Sequence, residues 1–220
     1  CVKWNIFRPI LNKVFSQEAK GPGGRPAFDY VMMFKILILQ EYFGLSDEQA
    51  EYQITDRFSF LRFLGLRTCS KVPDQNTIWH FRERLKEKDA VKDLFKCFHE
   101  ELKQKGYILG KGKIVDASIV EAPRQRNSRE ENKQIKNGEV PQDWSAKKRS
   151  HKDTDATWTK KGNANYYGYK NHIKIDRKKK FIDVYEVSSA CVHDAGPGKD
   201  LLSKKDKGQT IHADSAYVKS

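Results

Sequence analysis

Two aspartates stand where strands rarely carry them. Asp116 lies inside Ile114-Val115-Asp116-Ala117-Ser118-Ile119, and Asp214 closes Ile211-His212-Ala213-Asp214, 98 residues later. A carboxylate is a poor strand former and is costly to bury alone. Each has a plain structural explanation: Asp116 as an exposed residue on an edge strand or bulge, Asp214 as the N-cap of a following helix. Taken as a pair in a basic chain, they suit a second one. Paired acids with no Cys or His ligand set favour hard cations, Mg²⁺ or Mn²⁺, which take oxygen ligands and phosphates. Two such ions about 3.5–4 Å apart activate the attacking oxygen and stabilise the leaving one in phosphodiester cleavage.

Other residues could serve a polyanion. Lys147-Lys148-Arg149 and Lys178-Lys179-Lys180 are cation runs, and Arg124 and Arg126 follow the Asp116 strand directly. Such runs are ordinarily solvated faces. Their nearness in sequence to Trp144, Trp158, Tyr166, Tyr167 and Tyr169 favours backbone tracking with base stacking. Lys170 and His172 are candidates for phosphate contact, although a half-exposed strand histidine is an equal reading for His172. His193-Asp194 is the dipeptide of some metal phosphohydrolases, but it occurs often by chance. It is given only a supporting role beside the acids.

The elements that must position these residues divide the chain in three. Residues 1–26 read as an N-terminal arm ending in the Gly- and Pro-rich loop Gly21 to Pro26. Residues 27–106 read as a helical domain. Phe28 to Phe43 is apolar nearly all round, with Gly44 as a C-cap, and Ser46 with Gln49 forms a capping box for a second helix. A third short helix holds Phe58, Leu61 and Phe63. Asp74 caps a fourth with Ile78, Phe81 and Leu85 on one stripe, which could read a DNA groove but better suits a core. Val91, Leu94, Phe95, Phe98 and Leu102 mark a fifth helix that ends at Gly106.

Residues 107–220 are richer in strand signals. Lys113–Val120, Tyr166–Ile175, Phe181–Ser189 and Thr210–Asp214 read as strands, with a short helix around Lys199 to Ser203. Within 124–162 large apolar residues are few, so this stretch reads as a solvated, mobile insertion. The fold class expected is therefore α+β: an all-helical domain, then an α/β domain interrupted by a basic insertion.

The net charge is +13 at pH 7, and the segment 122–180 carries +10 of it, from 17 Lys/Arg against 7 Asp/Glu. That excess points to a polyanionic partner, nucleic acid or an acidic membrane surface. No run of apolar residues is long enough to span a bilayer. Cysteines 1, 69, 97 and 191 have no metal-binding spacing and read as reduced thiols of a cytoplasmic protein. An RNA-binding module would call for RNP-type or KH-type motifs, which the sequence lacks.

Five blocks in order resemble a known family. Pro73-Asp74-Gln75-Asn76-Thr77-Ile78-Trp79-His80-Phe81-Arg82-Glu83-Arg84-Leu85 is similar to the helical segment preceding the catalytic domain of bacterial insertion-sequence DDE transposases. Ile114 to Pro123 resembles the first catalytic strand of the insertion-sequence-five family. Tyr167-Gly168-Tyr169-Lys170-Asn171-His172, Val192-His193-Asp194 and Ala213-Asp214-Ser215-Ala216-Tyr217 match later blocks, and Trp4 to Leu11 with Gly21 to Phe28 fit the leading arm. The resemblance implies a ribonuclease-H-like catalytic domain, with Asp116 and Asp214 as the first two acids of a triad. It implies Mg²⁺ or Mn²⁺ as cofactor and DNA, both transposon ends and target, as substrate. It further implies a homodimer in the synaptic complex and a place at the bacterial nucleoid. The family's third acid, a Glu on a later helix, has no counterpart in the six residues after Asp214. The sequence also starts at Cys1 rather than Met. The expectation is thus a chain truncated at both ends and inactive alone, with a DNA-binding remnant as the alternative.

Overall fold

The structure is a computed structural model that describes residues 2–15, 26–108, 112–123, 127–214 and 217, apart from the side chain of Lys205. It divides into two compact units, Cys1–Glu101 and Leu102–Ser220.

The first unit is helical. Trp4–Phe7 forms a 3-10 turn that leads into α1 (Arg8–Phe15), so this part of the segment read as an arm is itself helical. Phe7, Leu11, Val14 and Phe15 are buried in the unit's core. The other helices are α2 (Tyr30–Phe43), α3 (Asp47–Asp56), α4 (Phe58–Leu64), α5 (Gln75–Glu87) and α6 (Ala90–Gln104). The sequence signals for their ends hold. Asp29 accepts from the Met32 amide and Asp74 from the Thr77 amide, and Ser46 and Gln49 form the capping box. Gly44 and Gly65 end α2 and α4 in the left-handed conformation, which costs a glycine little. The stripe Ile78, Phe81 and Leu85 is core, stacked in part through Phe81 on Phe15. Two expectations fail on burial. Phe58 and Val91 are exposed, because Phe60, Leu61 and Leu64 form the inward face of α4, and Ala90 and Leu94 that of α6.

The second unit is built on a mixed five-stranded sheet. Its strands are β1 (Lys113–Glu121), β2 (Thr157–Lys161), β3 (Ala164–Asp176), β4 (Ile182–Ser189) and β5 (Ile211–Ala213). The long strand β3 pairs antiparallel with β1 along one edge. Its other edge pairs with β2 over residues 164–168 and with β4 over 169–175. On the far side of β1, β5 runs parallel to it. Gly168 allows β3 its close approach to β1: at φ 150° an added Cβ would strike the backbone of Val120 and Ala122.

The segment 124–162 differs from expectation. Its described part holds α7 (Arg129–Lys136), α8 (Ala146–Ser150) and β2, which joins the main sheet. Trp144 gives it a buried centre. Its indole donates to Glu131 Oε1 at 2.7 Å, and Lys148 and Lys152 lie over its ring. A few polar partners around one tryptophan thus order a stretch whose composition looked too poor to fold. The helix α9 (Ala195–Leu201) begins earlier than expected and runs through Pro197 and Gly198.

Candidate active site

The parallel pairing of β1 with β5 fixes the site. Lys113, Ile114 and Val115 stand opposite Ile211, His212 and Ala213. One residue further on each strand come Asp116 and Asp214, both exposed. In-register neighbours on parallel strands point to the same face, with strands about 4.8 Å apart. The two acids picked out by residue type are therefore brought side by side. Asp116 is further fixed by its own strand, since its Oδ1 accepts from the Ala117 amide at 2.8 Å.

On the face of the sheet opposite Asp116 lies a hydrogen-bonded cluster centred on His172, which the sequence offered as a phosphate contact. His172 on β3 faces Ala117 of β1 and is fully buried. Its ring nitrogens meet Ser188 Oγ at 2.9 Å and the Tyr217 hydroxyl at 3.1 Å. Burial, aided by Lys170, holds the imidazole below its usual pKa against Asp194 and Glu186. The Tyr217 phenol is pushed up to about 12, by burial first and then by the carboxylates of Asp194, Asp116 and Asp214. A neutral imidazole and a neutral phenol thus share one hydrogen bond on the face of the sheet away from Asp116, with the phenol within electrostatic reach of both acids. Tyr217 stands three residues after Asp214, within a block already singled out by its motif. That short spacing from an acid to an aromatic was the available signal.

The remaining candidates separate. His172 has no surface to offer a phosphate, which corrects the expectation of DNA contact. Lys170 Nζ is engaged by Asp194 Oδ1 and the Val192 carbonyl, both at 2.8 Å. That pair ties the start of α9 to β3. His193 is exposed, and its Nδ1 accepts from the Ala195 amide. Lys147 and Arg149 are exposed on α8, whereas Lys148 is held by Glu131 Oε1 at 2.6 Å. Arg124 and Arg126 lie outside the described residues. Among the aromatics expected to stack on bases, Trp144 and Tyr167 are buried and Tyr169 donates to Asp153. Trp158 is well exposed.

Comparison with known families places both acids within one matched domain. Residues 109–220 match the family described as "Transposase DDE domain", and residues 1–84 match "Transposase domain (DUF772)". The chain belongs to the DDE transposases. No solved structure matches it at a significant level. The DDE match covers the second unit's strands, including both Asp116 and Asp214, and the other match covers most of the helical unit. Among the described residues of this transposase, no helix is long and apolar enough to cross a membrane.

The donor set was tested for a divalent cation. Among the described residues no group of three or more His, Cys, Asp or Glu converges. Two carboxylates are nevertheless what Mg²⁺ commonly takes from a protein, with waters and substrate phosphate completing its shell. The Asn171 side chain, opposite Ser118 on the face that Asp116 shares, has a buried Oδ1 without a hydrogen-bond partner. A carbonyl-type oxygen there adds to a hard-donor environment. The residues present fit the ion.

Proposed function

We propose that this transposase cleaves DNA at the ends of an insertion-sequence element and joins the freed 3′-hydroxyl to target DNA. The order of its blocks supports the insertion-sequence-five branch. Four strands joined by antiparallel pairings, with β5 added parallel to β1, support a ribonuclease-H-like domain. The observation that carries the reading is the β1–β5 register, which sets Asp116 and Asp214 at one level of neighbouring strands. These two residues would hold Mg²⁺ or Mn²⁺. A divalent ion so bound supplies a Lewis acid for a phosphoryl oxygen and lowers the pKa of water. Asp116, whose Oδ1 accepts from the Ala117 amide, would keep its carboxylate in one orientation for the ion. Asp214 brings the second negative charge from the end of β5. The exposed cations Lys147 and Arg149 on α8 provide phosphate-directed charge and carry no sequence preference of their own.

A second reading is favoured by the lack of a third converging acid among the described residues. On that reading the chain binds DNA without cutting it, and acts on element ends by occupying them. One experiment separates the two: titration of a duplex with the chain, followed by a strand-nicking assay in Mn²⁺. Nicking that disappears in Asp116→Ala supports the catalytic reading. Binding without nicking supports the second, and absence of both overturns each.

A further inference from the structure

Strand β5 is a weak element in a demanding position. It has three residues, all exposed, and among the described residues only β1 pairs with it. Three pairs of a ladder cannot repay the conformational entropy of fixing so short and exposed a segment in one register. Asp214 follows immediately and must lie within a few tenths of an ångström of a productive geometry to act with Asp116. Some other contact must hold it.

We propose that Tyr217 is the positioning residue for Asp214, its ring seated on Gly198 of α9 and its hydroxyl bonded to His172 of β3. The chain between the two is short and closed, because the Tyr217 amide donates to the Asp214 carbonyl at 3.0 Å. Whatever fixes Tyr217 therefore fixes the backbone of Asp214. The ring stands edge-on to His172, centroids 6.3 Å apart and planes at 86°. Its other contact is the bare Cα of Gly198: a Cβ there would lie 2.5 Å from Tyr217 Cδ1. Gly198 is helical and needs no left-handed φ, so it is the aromatic ring that excludes a side chain at this position.

Both seats are rigid. His172 is buried and bound on its second nitrogen by Ser188 of β4, so one ring nitrogen donates and the other accepts. Helix α9 is fastened at its start by the Lys170–Asp194 pair at 2.8 Å, and Pro197, Gly198 and Leu201 are buried. Lys170 and His172 stand two apart on β3, and so point to one face. The residues between which Tyr217 is clamped thus all refer back to β3, the strand that also pairs with β1. The clamp measures Asp214 against the same strand that measures Asp116. This gives His172, Asp194 and Gly198 a shared purpose none has alone. It also rests on the proposed role of Asp214 only for its catalytic meaning, not for its geometry.

The test uses the full chain and four variants: Tyr217→Phe, Tyr217→Ala, Gly198→Ala, and Gly198→Ala combined with Tyr217→Ala. Amide hydrogen exchange is read at 211–214 and, as an internal reference, at α2 (Tyr30–Phe43). Exchange at 211–214 is expected to rise at least about tenfold in Tyr217→Ala and Gly198→Ala, with the reference amides unchanged. Tyr217→Phe, which keeps the ring and loses only the hydroxyl, is expected to lie between them and the parent chain. Adding Gly198→Ala to Tyr217→Ala should have no further effect, since the methyl then has nothing to strike. Unaltered exchange in Tyr217→Phe and Gly198→Ala overturns the proposal, as does full additivity in the double variant. Calorimetric titration with Mn²⁺ forms a second arm, in which affinity is expected to fall about tenfold or more in the same order. If the parent chain binds no Mn²⁺, the cation reading fails while the exchange data still decide the role of Tyr217.

Discussion

Val115 of β1 stands opposite Ala213, the last residue of β5, in a parallel register, and the residue after each is an aspartate. Two exposed carboxylates thus come to one level of neighbouring strands.

Gly168 is the sharpest point on which that alignment depends. An alanine there meets the Val120 carbonyl and an unfavourable φ together. Each of these costs on the order of 1–3 kcal/mol. Gly168→Ala is expected to lower the urea midpoint of the second unit markedly, or to prevent its folding. A midpoint within error of the parent chain contradicts the close approach of β3 to β1.

Lys174 is a second such point. Its buried ammonium lies 2.8 Å from Asp206 and 3.4 Å from Asp183, which also meets Lys113 at 2.9 Å. Lys174→Met leaves Asp206 buried with its Ser203 bonds but no countercharge. Breaking a buried pair from one side costs about 3–5 kcal/mol. Chemical denaturation is expected to show a loss of that order, and a loss below about 1 kcal/mol would mean that the pair is solvated.

DNA affinity should fall steeply with salt, and α8 is expected to account for part of the slope. Each phosphate contact contributes about 0.9 to the log–log slope, so Lys147→Ala with Arg149→Ala should flatten it by about 1.8. Fluorescence anisotropy over a salt series reads this directly. Lys148→Ala is a different case: it removes a partner of Glu131 and Trp144 and should disturb α7 and α8 themselves. An unchanged slope in the Lys147/Arg149 variant makes those cations bystanders.

The Trp144 cluster has a pH dependence of known sign. The Glu131 carboxyl is held at about 2, by the Lys148 hydrogen bond first and then by the Ser128 amide and the Trp144 indole. Because its folded value lies below the ordinary 4.5, the contribution of Glu131 is fully present above pH 4.5. It is lost as pH falls toward about 2. The Trp144 indole proton resonance should keep its bonded position down through pH 4.5 and shift only below it. A shift already complete at pH 4.5 contradicts the assignment, and Glu131→Gln should remove the transition.

The helical unit was legible in the sequence because its caps are local. Asp29, Ser46 with Gln49, Asp74 and the glycines after α2 and α4 act within a single turn of chain. The acid pair was legible because a carboxylate in an apolar strand is out of place. What escaped depends on partners distant in sequence. The strand β2 carries alternating polar residues and exists because the nearby half of β3 offers it an edge. Trp144 looked solitary until Glu131, Lys148 and Lys152 closed around it. His172 reads as a half-exposed strand residue, yet it is buried by Tyr217, 45 residues away. Burial of that kind is a property of the assembled sheet, and period-2 patterning within β3 cannot express it.

The central claim, that Asp116 and Asp214 share a divalent cation, is tested most directly by calorimetric titration of Mn²⁺ into the parent chain, Asp116→Asn and Asp214→Asn. Either substitution keeps the side-chain shape and removes one negative charge, so the fold should persist by circular dichroism. Loss of a directly coordinating carboxylate is expected to weaken Mn²⁺ at least as much as loss of an outer partner, about tenfold or more. Because each carboxylate is a ligand of the one ion, the double variant, which keeps neither, should bind Mn²⁺ more weakly than either single one. Equal Mn²⁺ affinity in the parent chain and both single variants would contradict the account.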